Sequence, residues 1–140
     1  DLDVFKIKID TTIADVTGLS FSVTSGKTYY FNAIIRYTAA ATTAGSRWGV
    51  NCSAGTAANL TFTSEYTLTA TTSTRNAMVQ AFDSPAASNA SSIVAVNMAK
   101  LEGHFTPTAD GTFIIRFASE VSSSAIVAKA GSILYYQQTN

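Results

Sequence analysis

The feature that most constrains this fold is a two-residue alternation of apolar and other side chains between Ile93 and Ser119. The second half of the stretch repeats a large apolar residue at every other position: Phe113, Ile115 and Phe117. This is the period of a pleated strand, whose side chains point alternately to its two faces. Turn-forming residues at 107–111 separate this half from the first. The sequence therefore predicts a long strand, a tight turn and a second strand that returns beside the first.

One face of the first predicted strand changes character along its length. Apolar residues come first on this face and polar residues follow: Val94, Val96 and Met98, then Lys100, Glu102 and His104. A strand that is apolar on both faces needs cover from the domain core and also from a second layer or a neighbouring subunit. Arg116 stands in an otherwise apolar strand and is a reasonable partner for Glu102, within or between subunits. We therefore predict one subunit interface: Val94, Val96, Met98, Glu102, His104 and Arg116.

Similar short alternating segments recur along the chain, with turn signals at roughly every 8–14 residues and no segment of helical period. The segment Tyr29–Tyr37 is the best candidate for a central strand, and Ser25-Gly26-Lys27 before it has the composition of a hairpin turn. We therefore predict an all-β fold, an antiparallel β-sandwich of jelly-roll type with about eight or nine strands. No linker or internal repeat interrupts the pattern, so residues 1–140 are predicted to form a single domain.

The charge balance of the chain argues against several classes of partner. Charged residues make up 13% of the sequence, and nine basic residues balance nine acidic ones without clustering. Nucleic-acid binding requires a concentrated basic surface, so we predict no nucleic-acid partner. No apolar run approaches the length that spans a bilayer, so we predict no membrane insertion. Cys52 is the only cysteine, which leaves no intrachain disulfide and no thiolate metal cluster.

The single histidine, His104, limits the catalytic chemistry that this chain can perform. A Ser-His-Asp relay would have to use it, and its nearest acid, Glu102, is on the same face with a base-to-base separation of roughly 6.5–7 Å. The sequence also lacks a G-x-S-x-G nucleophile elbow. We therefore predict that the protein is not an enzyme and has no cofactor. Glu102 and His104 could bind a metal ion if three subunits brought three copies together; the simpler interpretation is a solvated strand end, or ion pairs with Lys100 or Arg116.

Six aromatic residues are candidates for stacking on sugar rings: Tyr29, Tyr30, Trp48, Tyr66, Tyr135 and Tyr136. Tyrosines in strands usually pack in a core with the hydroxyl at its edge, so most of these are predicted to be structural. Trp48 differs because it lies next to Arg47 and beside the loop of small residues at 38–46. We therefore predict that Arg47 and Trp48 are the ligand-binding residues, if the protein binds a glycan.

Five segments together resemble one domain type: YYFNAIIRYTAAATTAGSRW (29–48), EYTLTATT (65–72), DSPAASNASS (83–92), LEGHFTPTADGTFIIRFASEV (101–121) and AKAGSIL (128–134). That type is a β-rich domain of tailed-bacteriophage structural proteins, which occurs in fibre, virion-surface and capsid-decoration proteins. The similarity runs from Thr12 to Tyr136 and departs from the family at 49–53, where an N-G-P-like turn is typical. The resemblance implies a trimeric virion component without assigned catalytic residues.

The resemblance and the residue patterns lead to one main functional hypothesis and one alternative. The main hypothesis is a non-enzymatic virion structural protein, assembled in the host cytoplasm and located on the exterior surface of the particle. It would be a homotrimeric module that decorates the capsid or forms a fibre knob, in contact with other virion proteins. The alternative is a receptor-binding fibre tip that recognises a host-surface glycan through Trp48 and neighbouring loops.

Overall fold

A computed structural model describes residues 6–84 and 93–140 of the chain. These residues form ten strands in two antiparallel sheets: β1 (Lys6–Lys8), β2 (Ala14–Val23), β3 (Tyr29–Ala39), β4 (Ser46–Cys52), β5 (Leu60–Thr67), β6 (Ser73–Val79), β7 (Asn97–Phe105), β8 (Gly111–Ser119), β9 (Ile126–Ala128) and β10 (Ile133–Gln138). The prediction of an all-β antiparallel sandwich is confirmed, with slightly more strands than the sequence predicted. The jelly-roll connectivity stays a prediction.

The larger sheet has the strand order β1-β9-β3-β7-β5-β6, and the smaller sheet has the order β2-β8-β4. β3 pairs with β7 along one edge and with β9 and β10 along the other, so the predicted central position of this strand is confirmed. The loop of small residues at 38–46 begins in β3 and leads into β4. Most of the second loop of small residues, at 83–92, lies outside the described residues.

The core lies between the two sheets and is rich in aromatic rings. Alternate residues of β3 and β8 point inward, and the ring centroids of Phe31 and Phe113 are 4.6 Å apart across the gap. Phe105, at the end of β7, lies 5.5 Å from the same Phe113 ring. Aromatic pairs of this kind contribute about 0.5–1.5 kcal/mol each beyond the burial of their area. The alternation seen in the sequence therefore corresponds to the faces that pack the core.

The two long strands of the 93–119 stretch do not form a hairpin, so that prediction is wrong. β7 lies between β3 and β5 in the larger sheet, whereas β8 lies between β2 and β4 in the smaller one. The turn between them carries the chain across the core, and Phe105 and Phe113 face each other across it. The alternation does not distinguish the two arrangements, because each requires one apolar face per strand.

The turn at 25–27 crosses the core in the same way. β2 belongs to the smaller sheet and β3 to the larger, so the hairpin predicted here is also wrong. The Gly26 backbone N–H donates a hydrogen bond of 3.0 Å to the Pro107 carbonyl, which places the two crossings side by side at one end of the sandwich. Gly26 has a φ of +79°, in the left-handed region that favours glycine.

β7 begins at Asn97, and not at Ile93 as the sequence predicted. The Asn97 side chain donates to the Ile93 carbonyl and accepts from the Ile93 N–H, the second bond at 3.1 Å. The Ala39 N–H also donates to the Val94 carbonyl, at 3.0 Å. These bonds hold 93–96 in an irregular segment, because an Asn side chain can imitate a backbone amide. Val94 and Val96 therefore precede the strand, and Met98 lies in it.

Candidate functional site

The outer face of the larger sheet is a continuous surface built from four neighbouring strands. Residues that are directly opposite in antiparallel strands point to the same side of a sheet. The register therefore places three rows of side chains across β10, β3, β7 and β5: Gln137–Tyr30–His104–Thr61, Tyr135–Asn32–Glu102–Thr63 and Ile133–Ile34–Lys100–Glu65. We call this surface the outer face.

Two exposed apolar side chains, Val96 and Met98, form a ridge at one end of the outer face. Val96 is 76% exposed and Met98 52%, and Val94, in the irregular segment before β7, is 47% exposed. The Thr67 hydroxyl accepts a hydrogen bond of 3.0 Å from the Met98 N–H and donates one of 3.3 Å to the Met98 carbonyl. These two bonds tie the ridge to β5. Val94, Val96 and Met98 are three of the predicted interface residues, and their exposure in a single chain leaves them accessible to a partner.

Two grooves of similar size flank the ridge, and Val96 and Met98 line both. The β5 groove has a volume of about 380 Å³ and is lined further by polar residues, including Glu65, Lys100 and the turn 69–73. The β3 groove has a volume of about 330 Å³, and its lining includes Arg36, Thr38 and Lys129. The ridge therefore rises between a groove with two cationic side chains and a groove with one carboxylate and one ammonium group.

The other end of the outer face is polar and is organised around Glu102. The Tyr30 hydroxyl donates to one carboxylate oxygen of Glu102 at 2.5 Å, and the Lys100 ammonium lies 3.6 Å from the other. The hydrogen bond to this carboxylate raises the pKa of the Tyr30 hydroxyl above its ordinary value. The ring of His104 lies 5.8 Å from that of Tyr30. In the described part of the chain, the partners of Glu102 are therefore Tyr30 and Lys100, and not His104 or Arg116.

A metal site would need more ligands than one chain brings together here. Within residues 6–84 and 93–140, no three His, Cys, Asp or Glu side chains lie close enough to hold a metal ion. The hypothesis that copies of Glu102 and His104 combine across subunits stays a prediction.

Trp48 does not offer a face to a ligand, so its predicted role in glycan binding is wrong. Its side chain is fully buried, with its ring 5.1 Å from that of Phe117 and 5.0 Å from that of Tyr37. The indole N–H donates to the Ser46 hydroxyl at 2.8 Å. Arg47 points to the opposite face of β4, because successive strand residues alternate, and its guanidinium bonds the Thr11 carbonyl. Arg47 and Trp48 therefore do not form a joint site.

Arg116 lies on the smaller sheet, so grouping it with the other five predicted interface residues is wrong. Its guanidinium is 3.1 Å from the Asp15 carboxylate and 2.6 Å from that of Asp83. Asp83 also accepts a hydrogen bond of 2.6 Å from the Asn51 side chain, and its N–H donates to the Val50 carbonyl at 3.0 Å. Arg116 therefore fastens the segment that follows β6 onto the smaller sheet, and the predicted pair with Glu102 does not form within the chain.

The contacts that organise the outer face cannot be predicted from the sequence. Tyr30 and Glu102 are 72 positions apart, and only the β3–β7 register brings them together. Arg36 and Lys129 meet because the Lys129 N–H donates to the Arg36 carbonyl at 2.8 Å, between β9 and β10. The sequence gives only a weaker indication of these contacts, which is that Tyr30 and Arg36 lie on the more polar side of the predicted central strand.

No protein-family model, no curated protein and no solved structure matches this chain. The resemblance to phage structural domains therefore stays a prediction. The described residues include no helix that is long and apolar enough to cross a membrane.

Proposed function

We propose that this chain is a non-enzymatic structural module of a phage particle, which assembles as a homotrimer through the outer face of its larger sheet. The observation that carries the proposal is the exposed apolar ridge of Val96 and Met98, with Val94 exposed shortly before it in the chain. Solvent-exposed faces of antiparallel sheets are normally polar, and contiguous exposed apolar groups mark interaction sites. A position on the exterior of the virion, in contact with other virion proteins, is the part of the proposal that rests on the resemblance.

The outer face is somewhat smaller than a complete interface. Four strands at about 4.8 Å and nine residues at about 3.3 Å give an area of roughly 570 Å². A stable interface buries about 800 Å² on each partner. Complete burial of an apolar side chain contributes about 1.5–3 kcal/mol, so Val96 and Met98 together contribute at most roughly 3–6 kcal/mol. This lies at the low end of the cost of association, which is about 4–15 kcal/mol. The neighbouring Ile34, Ile133 and Tyr135 are therefore expected to be covered as well.

Sedimentation of the purified domain tests the assembly. We expect an oligomer at micromolar concentration, and we expect Val96→Asp to shift it to the monomer, because an aspartate in a dry contact must lose its hydration. Val121→Asp is the matched control, since Val121 is also exposed, at 39%, but lies in the loop after β8. A wild-type protein that stays monomeric at these concentrations would contradict the proposal. Circular dichroism of each variant checks that the fold is intact.

The place of the module on the particle separates capsid decoration from a fibre knob. An antibody against the domain, viewed by electron microscopy, is expected to label the exterior of the particle. Labelling of heads that lack tails identifies a capsid decoration, and labelling at fibre ends identifies a knob. Labelling of neither, on particles that contain the protein by mass spectrometry, would contradict an exterior position.

A glycan-recognising tip is the second candidate, and Tyr135 is the observation that favours it. This tyrosine is 60% exposed and lies in the same row as Asn32 and Glu102. An exposed aromatic ring beside polar side chains suits a sugar, which has apolar faces and polar edges. Glycan-array binding that Tyr135→Ala abolishes without unfolding would support the tip. Trp48→Ala is not informative, because removing a buried tryptophan destabilises the core.

A further inference from the structure

β10 is an outer strand of the larger sheet, and only one of its two edges is paired. It pairs with β3 at six consecutive positions without a register shift, from Ile133 opposite Ile34 to Gln138 opposite Tyr29. Within residues 6–84 and 93–140, β3 is the one strand that pairs with it. The other edge of β10 therefore presents backbone donors and acceptors that no described strand uses.

The pairing with β3 determines which backbone groups lie on this open edge. The Thr139 N–H donates to the Thr28 carbonyl at 2.7 Å, so this position of the ladder is a hydrogen-bonded one. Hydrogen-bonded positions alternate along a pair of antiparallel strands. The odd-numbered residues of β10 therefore bond β3. The even-numbered residues direct their N–H and C=O groups to the open edge: Leu134, Tyr136 and Gln138.

The other outer strands carry features that discourage a further strand, and β10 carries none of them. β1 has two lysines among its three residues, and the pairing of β2 contains a register shift. β6 has a register shift and the exposed side chain of Arg75. On β4, the Val50 carbonyl already accepts a hydrogen bond from the Asp83 N–H. The β10 sequence, ILYYQQ, contains no charged residue, proline or glycine. Natural sheets use such features to prevent strand addition, so β10 is the edge best suited to accept a strand.

The side chains beside the open edge specify the chemistry of an added strand. The Tyr136 ring stacks on Phe21 of β2, with centroids 4.0 Å apart, and is still 54% exposed. Leu134 lies on the same side of β10 and is partly buried against the core. An added strand continues the two faces of the sheet, so every second residue of it would lie beside these apolar groups. The edge therefore fits an extended, uncharged segment with apolar residues at alternate positions.

A second copy of the chain fits this edge less well. The edge is about 20 Å long and about 10 Å thick, which is roughly 200 Å². Each partner in a stable interface between folded domains buries about 800 Å². An extended segment that adds to a sheet instead obtains its affinity from main-chain hydrogen bonds and from side-chain contacts at alternate positions.

We propose that the open edge of β10 binds an extended segment of another protein, which adds to the larger sheet as a further strand. The segment is uncharged and has apolar residues at alternate positions. The inference goes beyond the proposed function, because it uses the edge of the sheet and not its outer face. It therefore does not depend on the formation of a homotrimer.

A synthetic peptide tests whether the edge accepts a strand. The probe is a fluorescein-labelled peptide of alternating valine and threonine, with a lysine at each end for solubility. We expect a saturable rise in fluorescence anisotropy when the full chain is added. The same peptide with N-methylated amides cannot donate main-chain hydrogen bonds, and is expected to bind at least about ten-fold more weakly. Equal binding of the two peptides, or no saturable binding up to about 1 mM, would overturn the proposal.

Proline substitution tests the position of the added strand. Tyr136→Pro and Tyr136→Ala both lose the ring, but only the proline variant loses the outward N–H. Proline is tolerated on an edge strand where its nitrogen faces solvent. We expect Tyr136→Pro to bind the peptide roughly ten-fold more weakly than Tyr136→Ala. If circular dichroism shows that Tyr136→Pro is unfolded, Gln138→Pro against Gln138→Ala makes the same comparison. Equal binding within the pair would contradict the assignment to this edge.

Amide hydrogen exchange, followed by nuclear magnetic resonance, locates the bound peptide directly. We expect the peptide to slow exchange at the even-numbered residues of β10, whereas the odd-numbered residues are protected with or without it. Two results would identify a different occupant and overturn the proposal. One is peptide binding that appears only after removal of residues 1–5, because the chain itself would then occupy the edge. The other is an oligomer in sedimentation that Tyr136→Pro dissociates and Tyr136→Ala does not, because the occupant would then be a second copy.

Discussion

Gly103 lies where two neighbouring strands approach too closely for a side chain, and Gly103→Ala tests this packing directly. Its register partners are Phe31 on β3 and Phe62 on β5, whose ring centroids are 6.1 Å apart. A Cβ atom on Gly103 would lie 2.1 Å from the Thr61 carbonyl oxygen and 2.5 Å from Phe62 Cβ. Ordinary van der Waals contact begins at about 3.4 Å. The β5 backbone would therefore have to move away from β7 by about 1 Å.

The expected loss of stability follows from this movement. Overpacking of a well-packed site costs about 1–3 kcal/mol, and each hydrogen bond weakened between β5 and β7 adds about 1 kcal/mol. Alanine also restricts the unfolded chain, which offsets about 0.4–1 kcal/mol. We therefore expect Gly103→Ala to lower the free energy of unfolding by about 3 kcal/mol. For a domain of this size, this corresponds to a fall of roughly 10 °C in the melting midpoint.

Urea unfolding followed by circular dichroism measures this difference. The variant and the wild type are compared at the same protein concentration, because assembly shifts apparent stability. Gly26→Ala is the control: a Cβ there would have nothing within 4 Å, so its expected loss of about 1 kcal/mol comes from the left-handed φ alone. If Gly103→Ala loses no more stability than Gly26→Ala, the argument from the close approach of β5 and β7 is refuted.

Three further changes test other parts of the structure. Asp83→Ala removes a carboxylate from the largely buried Arg116 guanidinium and should lower the free energy of unfolding by about 2 kcal/mol; an unchanged urea midpoint would contradict this role. Met78 has a φ of 56° and is 65% exposed, so Met78→Gly should add about 0.5–1 kcal/mol of stability in thermal melts, whereas Met78→Ala should not. Burial raises the pKa of Tyr66 to about 12 from 10.0, because the folded state favours the neutral hydroxyl. About 2–3 kcal/mol of stability, present in full below pH 10, is therefore lost as the pH rises through 12; equal alkaline losses in Tyr66→Phe and the wild type would refute this assignment.

The alternation of side chains was sufficient to predict the strands and their inward faces, but not their partners. Phe31 and Phe113 are in the core because each stands on the apolar face of a strong period-two pattern. Whether two such strands pair in one sheet or face each other in two depends on long-range register, which the period of one strand does not contain. The assumption that consecutive strands pair as hairpins was wrong at both crossings.

The candidate site was predictable only where chemistry and pattern coincided. Val96 and Met98 stand out because apolar residues continue on a face that should be wet. The prediction for Trp48 is wrong because its neighbour Arg47 and the adjacent loop indicate exposure, whereas the register pairs Trp48 with Phe117 on the inner face. Contacts such as that of Tyr30 with Glu102 depend on register, and no local signal in the sequence reports them.

The two outer faces of this sandwich differ in their side chains, and the proposed assembly rests on this difference. On the smaller sheet, the Arg116 guanidinium is paired with Asp15 and Asp83 of the same chain. On the larger sheet, the apolar ridge projects between two grooves, and its residues are about half exposed or more. Solvated faces of antiparallel sheets are normally polar, which is why the proposed assembly uses this face. Because only 13% of the residues are charged, apolar area would supply most of the affinity of the proposed assembly.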